Sequence, residues 1–124
     1  MRSRKSTPTG RQAASAIAVR LLRQIGAKGG ELDEALRNTD ARTDPAAARE
    51  AVATVHRLAA EIDALVIELA GVTMVAGKTA EQVRAATGIG TATLTRRVPK
   101  TLSTLRGHAV EKDPTAAHGY RVTD

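Results

Sequence analysis

Residues 79–98, TAEQVRAATGIGTATLTRRV, bring hydroxyls and guanidinium groups together at helical spacing, and Lys100 follows two residues later. Thr91, Thr95 and Arg96 share the outward side of the second half of this stretch. A threonine offers a hydroxyl and a methyl. Arginine offers a planar fork of donors that matches a phosphate, or a guanine edge through O6 and N7. No acid occurs between Glu81 and Glu111, whereas Arg84, Arg96, Arg97, Lys100 and Arg106 all lie in that window. Donors unopposed by carboxylates suit a polyanionic groove. Duplex DNA is the partner they imply.

Such residues need elements that hold them outward. The spacing predicts a short helix over 79–87, with Val83 and Ala86 on one face, then a turn at Gly88, where positive φ costs little. A second helix follows, anchored by Ile89 and Leu94. Pro99 lacks an N–H and must end or kink it. A helical turn over 99–106 then returns Leu102 and Leu105 to the core. Residues 108–112 and 120–123 read as strands, joined by the hairpin-like loop DPTAAHG.

The first half is expected to be scaffold. Residues 1–10 are polar, with Pro8 and Gly10, and residues 1–12 are expected to form a disordered basic arm. Apolar residues from Ala14 to Ile25 recur at helical spacing, and Gly26, Gly29 and Gly30 should end that helix, with a brief helical turn over 31–37. Asp44-Pro45 combines an N-cap acid with proline at the first helical position. It should open a long helix whose stripe is Ala51, Val55, Leu58, Ile62, Leu65, Leu69 and Val72, broadened by Val52, Ala59 and Val66. Either the helix over 13–25 folds back and covers this stripe within one chain, or the stripe pairs between copies. One short helix is too little for so long a stripe, so Val55, Leu58, Ile62, Leu65 and Leu69 are the expected dimer interface. Gly71 and Gly77 should loosen the end of that helix. The division expected is 1–12 arm, 13–60 helical scaffold and dimerisation region, and 61–124 DNA-binding domain.

Composition narrows the alternatives. The net charge of +6 is unevenly spread: residues 1–30 carry no acid, and residues 31–70 hold nine of the thirteen. Basic ends around an acidic middle point to an anionic partner for the ends. One tyrosine and no Phe or Trp argue against single-strand binding by base stacking. The absence of cysteine excludes disulfides and thiolate metal sites. No stretch approaches the ~20 apolar residues of a membrane span. The string GVTMVAGKT misses the P-loop spacing because Gly71 stands one residue too early, and Gly88-x-Gly90 lacks a third glycine. His56, His108 and His118 are scattered, and no nucleophile–base pair or carboxylate pair on an apolar background is present. No enzyme activity, catalytic residue, metal or cofactor is expected, nor is any ligand-binding feature apparent. Neither a transit peptide nor a secretory leader fits the start, so the cytoplasm is the expected compartment.

Two helices, the second basic, followed by a hairpin ending in GYRVT, resemble the winged helix-turn-helix domain of bacterial transcription regulators. Val83, Gly88, Ile89, Thr93, Leu94, Arg96 and Val98, then Gly107, Val110 and 119–123, carry the likeness over residues 60–124. Arg84 stands where that family has a small residue between helices, and Pro99 interrupts a usually continuous recognition helix. The resemblance implies a winged helix-turn-helix with a small C-terminal β-hairpin. With the helices read from periodicity in the first half, the expected fold is mainly α, a helical N-terminal dimerisation part followed by that domain. It implies a recognition helix in the major groove and a wing along the adjacent backbone. Arg96 becomes the first base-reading candidate, with Thr91, Thr93 and Thr95 around it. Arg97, Lys100 and the backbone N–H groups beginning at Thr79 would hold phosphates, as would Arg121 and His118 in the wing. The function expected is sequence-specific binding of double-stranded DNA by a homodimeric transcriptional repressor. The alternatives are an architectural plasmid- or chromosome-organising protein of low specificity, and a protein-interaction module built on a winged helix.

Overall fold

Thr7 and Pro8 start the first helix as an N-cap threonine and an N1 proline should. The Thr7 Oγ1 accepts from the Gly10 N–H at 2.9 Å. In the computed structural model, which describes residues 5–39 and 44–124, this helix, α1, runs over Pro8–Arg37. The expected basic arm is therefore helical from Pro8 onward, while Arg2 and Arg4 lie outside the described residues, as does Asp40 of the acidic middle.

The expected stop at Gly26, Gly29 and Gly30 does not occur. None of the three has positive φ, and a Cβ on any of them would meet open space. Each glycine costs roughly 1 kcal/mol in a helix interior, but continuation keeps Ile25, Leu32 and Ala35 on a half-buried face. The brief helical turn expected over 31–37 is the end of this same helix.

Helix α2 occupies Pro45–Val75 and starts where the sequence signals it, with Asp44 Oδ1 accepting from the Ala46 N–H at 2.9 Å. Gly71 does not loosen it. This glycine is buried, and a Cβ there would stand 2.6 Å from Val98 Cγ1, so its role is close packing. After α2 come α3 (Ala80–Thr87), α4 (Thr91–Arg97) and α5 (Lys100–Ser103), then β1 (Val110–Lys112) and β2 (Tyr120–Val122). The two strands pair antiparallel in the register Val110↔Val122, Glu111↔Arg121 and Lys112↔Tyr120. The fold is mainly helical with one small two-stranded sheet. Among the described residues no helix is long and apolar enough to cross a membrane.

The chain divides into two compact units, Met1–Leu21 with Ile67–Asp124, and Leu22–Val66. These boundaries cut through α1 and α2 and differ from the expected 12/13 and 60/61. The first unit has a dense aliphatic core: Ala13, Ala14, Ile17 and Leu21 of α1, Ile67, Val72 and Val75 of α2, then Val83, Leu94, Val98, Leu102, Leu105 and Val110. The hairpin is tied to the start of α1. Thr7 Oγ1 donates to the His108 carbonyl at 2.7 Å, and Thr9 Oγ1 accepts from the Val110 N–H at 3.0 Å.

In the second unit α1 and α2 run antiparallel. Lys28 meets Glu61 at 3.2 Å, whereas Ala35 and Asn38 share a cavity wall with Thr54. The Lys28 hydrogen bond, against some desolvation, holds the Glu61 carboxyl below its usual range. Among the described residues of this unit Leu58 is the one fully buried apolar side chain, while Leu22, Leu36 and Val52 are exposed. Of the expected interface, Leu58 is thus already covered within one chain, because it faces the wall that α1 and α2 build together. Val55, Ile62 and Leu65 are half-buried in this unit, as is Leu69 in the other.

Candidate nucleic-acid interface

Thr79 sets the start of α3 through a reciprocal capping box: its N–H donates to Gln82 Oε1 at 2.9 Å, and its Oγ1 accepts from the Gln82 N–H at 3.1 Å. Thr79 is therefore a cap first, and its own N–H, expected to hold a phosphate, is already used. Glu81 in the same first turn pairs with Arg84, whose exposed guanidinium points away from the helix packing. The mutual hydrogen bond holds the Glu81 carboxyl below its usual range. Arg84 consequently does not wedge the helices apart, although it fills a position expected to be small.

The turn follows glycine chemistry. Gly88 caps α3 at φ 77°, donating its N–H to the Arg84 carbonyl at 2.8 Å. Thr87 Oγ1 donates to the Val83 carbonyl and accepts from the Ile89 N–H, which fixes the exit of the chain. Helix α4 is then anchored by Leu94, fully buried, and by Val98 just beyond its end. Val98 is extended, with ψ 126°, as the residue before a proline should be, and α5 begins after Pro99.

This anchoring leaves Ala92, Thr95, Arg96 and Arg97 exposed, with Thr91 and Thr93 half-buried. Arg96 makes no hydrogen bond or ion pair among the described residues, and neither does the Lys100 ammonium on α5. Thr95 is more constrained than expected. Its hydroxyl donates to the Thr91 carbonyl at 3.0 Å, so its methyl and a lone pair face outward instead of a free donor. Arg106, counted with the basic window, is buried at 6% exposure and is not part of the exposed basic face.

The hairpin corrects two expectations. His118 is buried at 8% exposure, and its Nε2 lies 3.0 Å from Thr101 Oγ1 on α5. Burial pushes its pKa below the ordinary value; Glu68 opposes this and Arg20 adds to it. A buried, neutral ring that braces the loop against α5 cannot clamp a phosphate. Arg121 is exposed but held across the strands by Glu111, its Nε donating at 2.7 Å. The register that places Glu111 opposite Arg121 explains this pairing. Lys112, flanked by Glu111 and Asp113, is exposed and makes no ion pair among the described residues.

The structure thus brings Thr91, Thr95, Arg96, Arg97 and Lys100 onto two consecutive short helices, and buries His118 against α5. Thr7 and Thr9, which hold the hairpin, escaped the sequence reading; the Thr-Pro pair at 7–8 was their signal. Chemically the arrangement offers a fork donor, an ammonium and threonine methyls on one acid-free segment. Comparison with protein-family models, with curated proteins and with solved structures returns no match.

Proposed function

We propose that this chain is a sequence-specific double-stranded DNA-binding protein of the winged helix-turn-helix kind, acting as a homodimer that represses transcription by occupying its site. The observation that carries the reading is the exposed, unpaired Arg96 on α4, backed by the buried Leu94, within a segment free of acid from residue 82 to 110. A dipolar or cationic face without competing carboxylates is what a phosphate backbone selects. The hairpin takes the part of the wing. Dimerisation is assigned to the second unit, where Leu22, Leu36 and Val52 are exposed and, among its described residues, a single apolar side chain is fully buried.

One feature favours the architectural alternative. Helix α4 is only seven residues long, about two turns, and few of its side chains can reach base edges. With Arg121 engaged by Glu111, direct reading of sequence falls mainly on Arg96. Selection from random-sequence duplexes, followed by binding of Arg96→Ala and Lys100→Ala, separates the two readings. On the selected site Arg96→Ala should cost ~1–3 kcal/mol and relax preference at one base pair, whereas Lys100→Ala should weaken all sequences alike. An equal loss on selected and random DNA for Arg96→Ala would make Arg96 a phosphate clamp and the protein architectural. An enriched palindrome would support the dimer.

A further inference from the structure

Helix α1 and the hairpin border an open cleft of about 250 Å³ that the DNA reading does not use. Its floor is Ile17, 2% exposed, and the Tyr120 ring and Pro114 line it from the hairpin side. Two cationic residues line it from different elements. Arg20 lies one turn beyond Ile17 on α1, and Lys112 ends β1 opposite Tyr120 in the strand register. Neither makes an ion pair among the described residues, whereas Lys28, Arg84 and Arg121 all do. His118 closes the inner wall with its Nε2 already engaged by Thr101, and the Glu68 carboxylate does not line the cleft.

We propose that this cleft binds a small organic carboxylate with an apolar body about one ring in size, its anion held by Arg20 and Lys112. Two like charges facing one apolar-floored hollow are relieved by an anion, and each can give it a charge-assisted hydrogen bond. The apolar lining selects against a fully hydrated ion such as phosphate, whose desolvation only the two cations would offset. The volume lies below the range of roughly 300–1,000 Å³ typical of larger ligands, which sets the one-ring limit. This inference does not rest on the DNA reading.

Tyr120 is the one tyrosine in a chain without tryptophan, so intrinsic fluorescence reports on this cleft alone. Cyclohexanecarboxylate, transparent at the exciting wavelength, is the probe. It should change the emission of the full chain saturably, with acetate and inorganic phosphate at least about tenfold weaker. Arg20→Gln and Lys112→Gln should each weaken binding about tenfold, the loss of one charge-assisted bond. Ala16 is exposed on α1 and borders the cleft, so Ala16→Leu should fill it and abolish the response while leaving the helical spectrum intact. No saturable response in the wild type, unchanged affinity in Ala16→Leu, or phosphate binding as tightly as the carboxylate would each overturn the proposal.

Discussion

Replacing Gly29 with alanine should raise stability, whereas replacing Gly71 with alanine should not. Both residues are helical, so each substitution removes roughly 1 kcal/mol of unfavourable glycine propensity. At Gly29 nothing lies within 4 Å of the added Cβ, and that gain should appear undiminished. At Gly71 the Cβ would stand 2.6 Å from Val98 Cγ1, about 1 Å inside the ordinary carbon–carbon separation of ~3.5–4.0 Å. Val98 is buried at 8% exposure and β-branched, so its methyl cannot swing away. Overpacking of this kind costs ~1–3 kcal/mol. The two variants should therefore differ by about 1–3 kcal/mol, with Gly29→Ala above the wild type and Gly71→Ala at or below it. Urea unfolding followed by far-UV circular dichroism reads both. Should the two compact units melt separately, each variant moves its own transition and the sign comparison stands. A Gly71→Ala protein stabilised as much as Gly29→Ala would mean that α2 does not approach the end of α4. The packing that aims α4 outward would then be wrong.

Two further outcomes follow from the same structure. His118 has a pKa depressed by burial below its ordinary value of 6.5, so the unfolded chain takes up a proton that the folded chain resists. Stability from this residue is complete above about pH 6.5 and is lost as pH falls toward the folded pKa. Comparing unfolding at about pH 7.5 and about pH 5.5, above and below the ordinary value, the decline should be smaller in His118→Gln than in the wild type. An equal decline would refute a buried neutral ring. Val52 is 69% exposed on α2, so Val52→Asp should leave the monomer folded but shift a dimer toward monomer in light scattering. A wild type that stays monomeric at tens of micromolar, roughly the concentration where a functional dimer should show, would remove the dimer claim.

The second half of the chain could be read from its sequence because its signals are local. Gly88 at the turn, Pro99, and a Pro/Gly-bearing loop between short apolar runs each act within a few residues. The corresponding elements stand where these signals put them. The first half was misread where a tertiary gain overrides local preference: three glycines that should end α1 lie inside it, while Ile25, Leu32 and Ala35 stay on its half-buried face. The Thr7-Pro8 start was readable by the logic applied correctly at Asp44-Pro45, but the polar composition around it masked the signal. Site residues divide the same way. The exposure of Arg96 follows from helical spacing against Leu94, which is local. The fates of His118 and Arg121 depend on Thr101 and Glu111, partners set by the folding of the hairpin onto α5 and onto itself. No spacing in the sequence announces those contacts.

The claim that α4 and α5 present a DNA-binding face is tested most directly by binding of a duplex over a range of salt. If Arg96, Arg97 and Lys100 each neutralise one phosphate, the log–log slope of affinity against salt should be about −3 per protomer, at about −0.9 per contact. The triple variant with all three changed to glutamine should lose most of that slope while keeping the helical spectrum of the wild type. Absence of duplex binding at low salt, or an affinity indifferent to salt, would contradict the account.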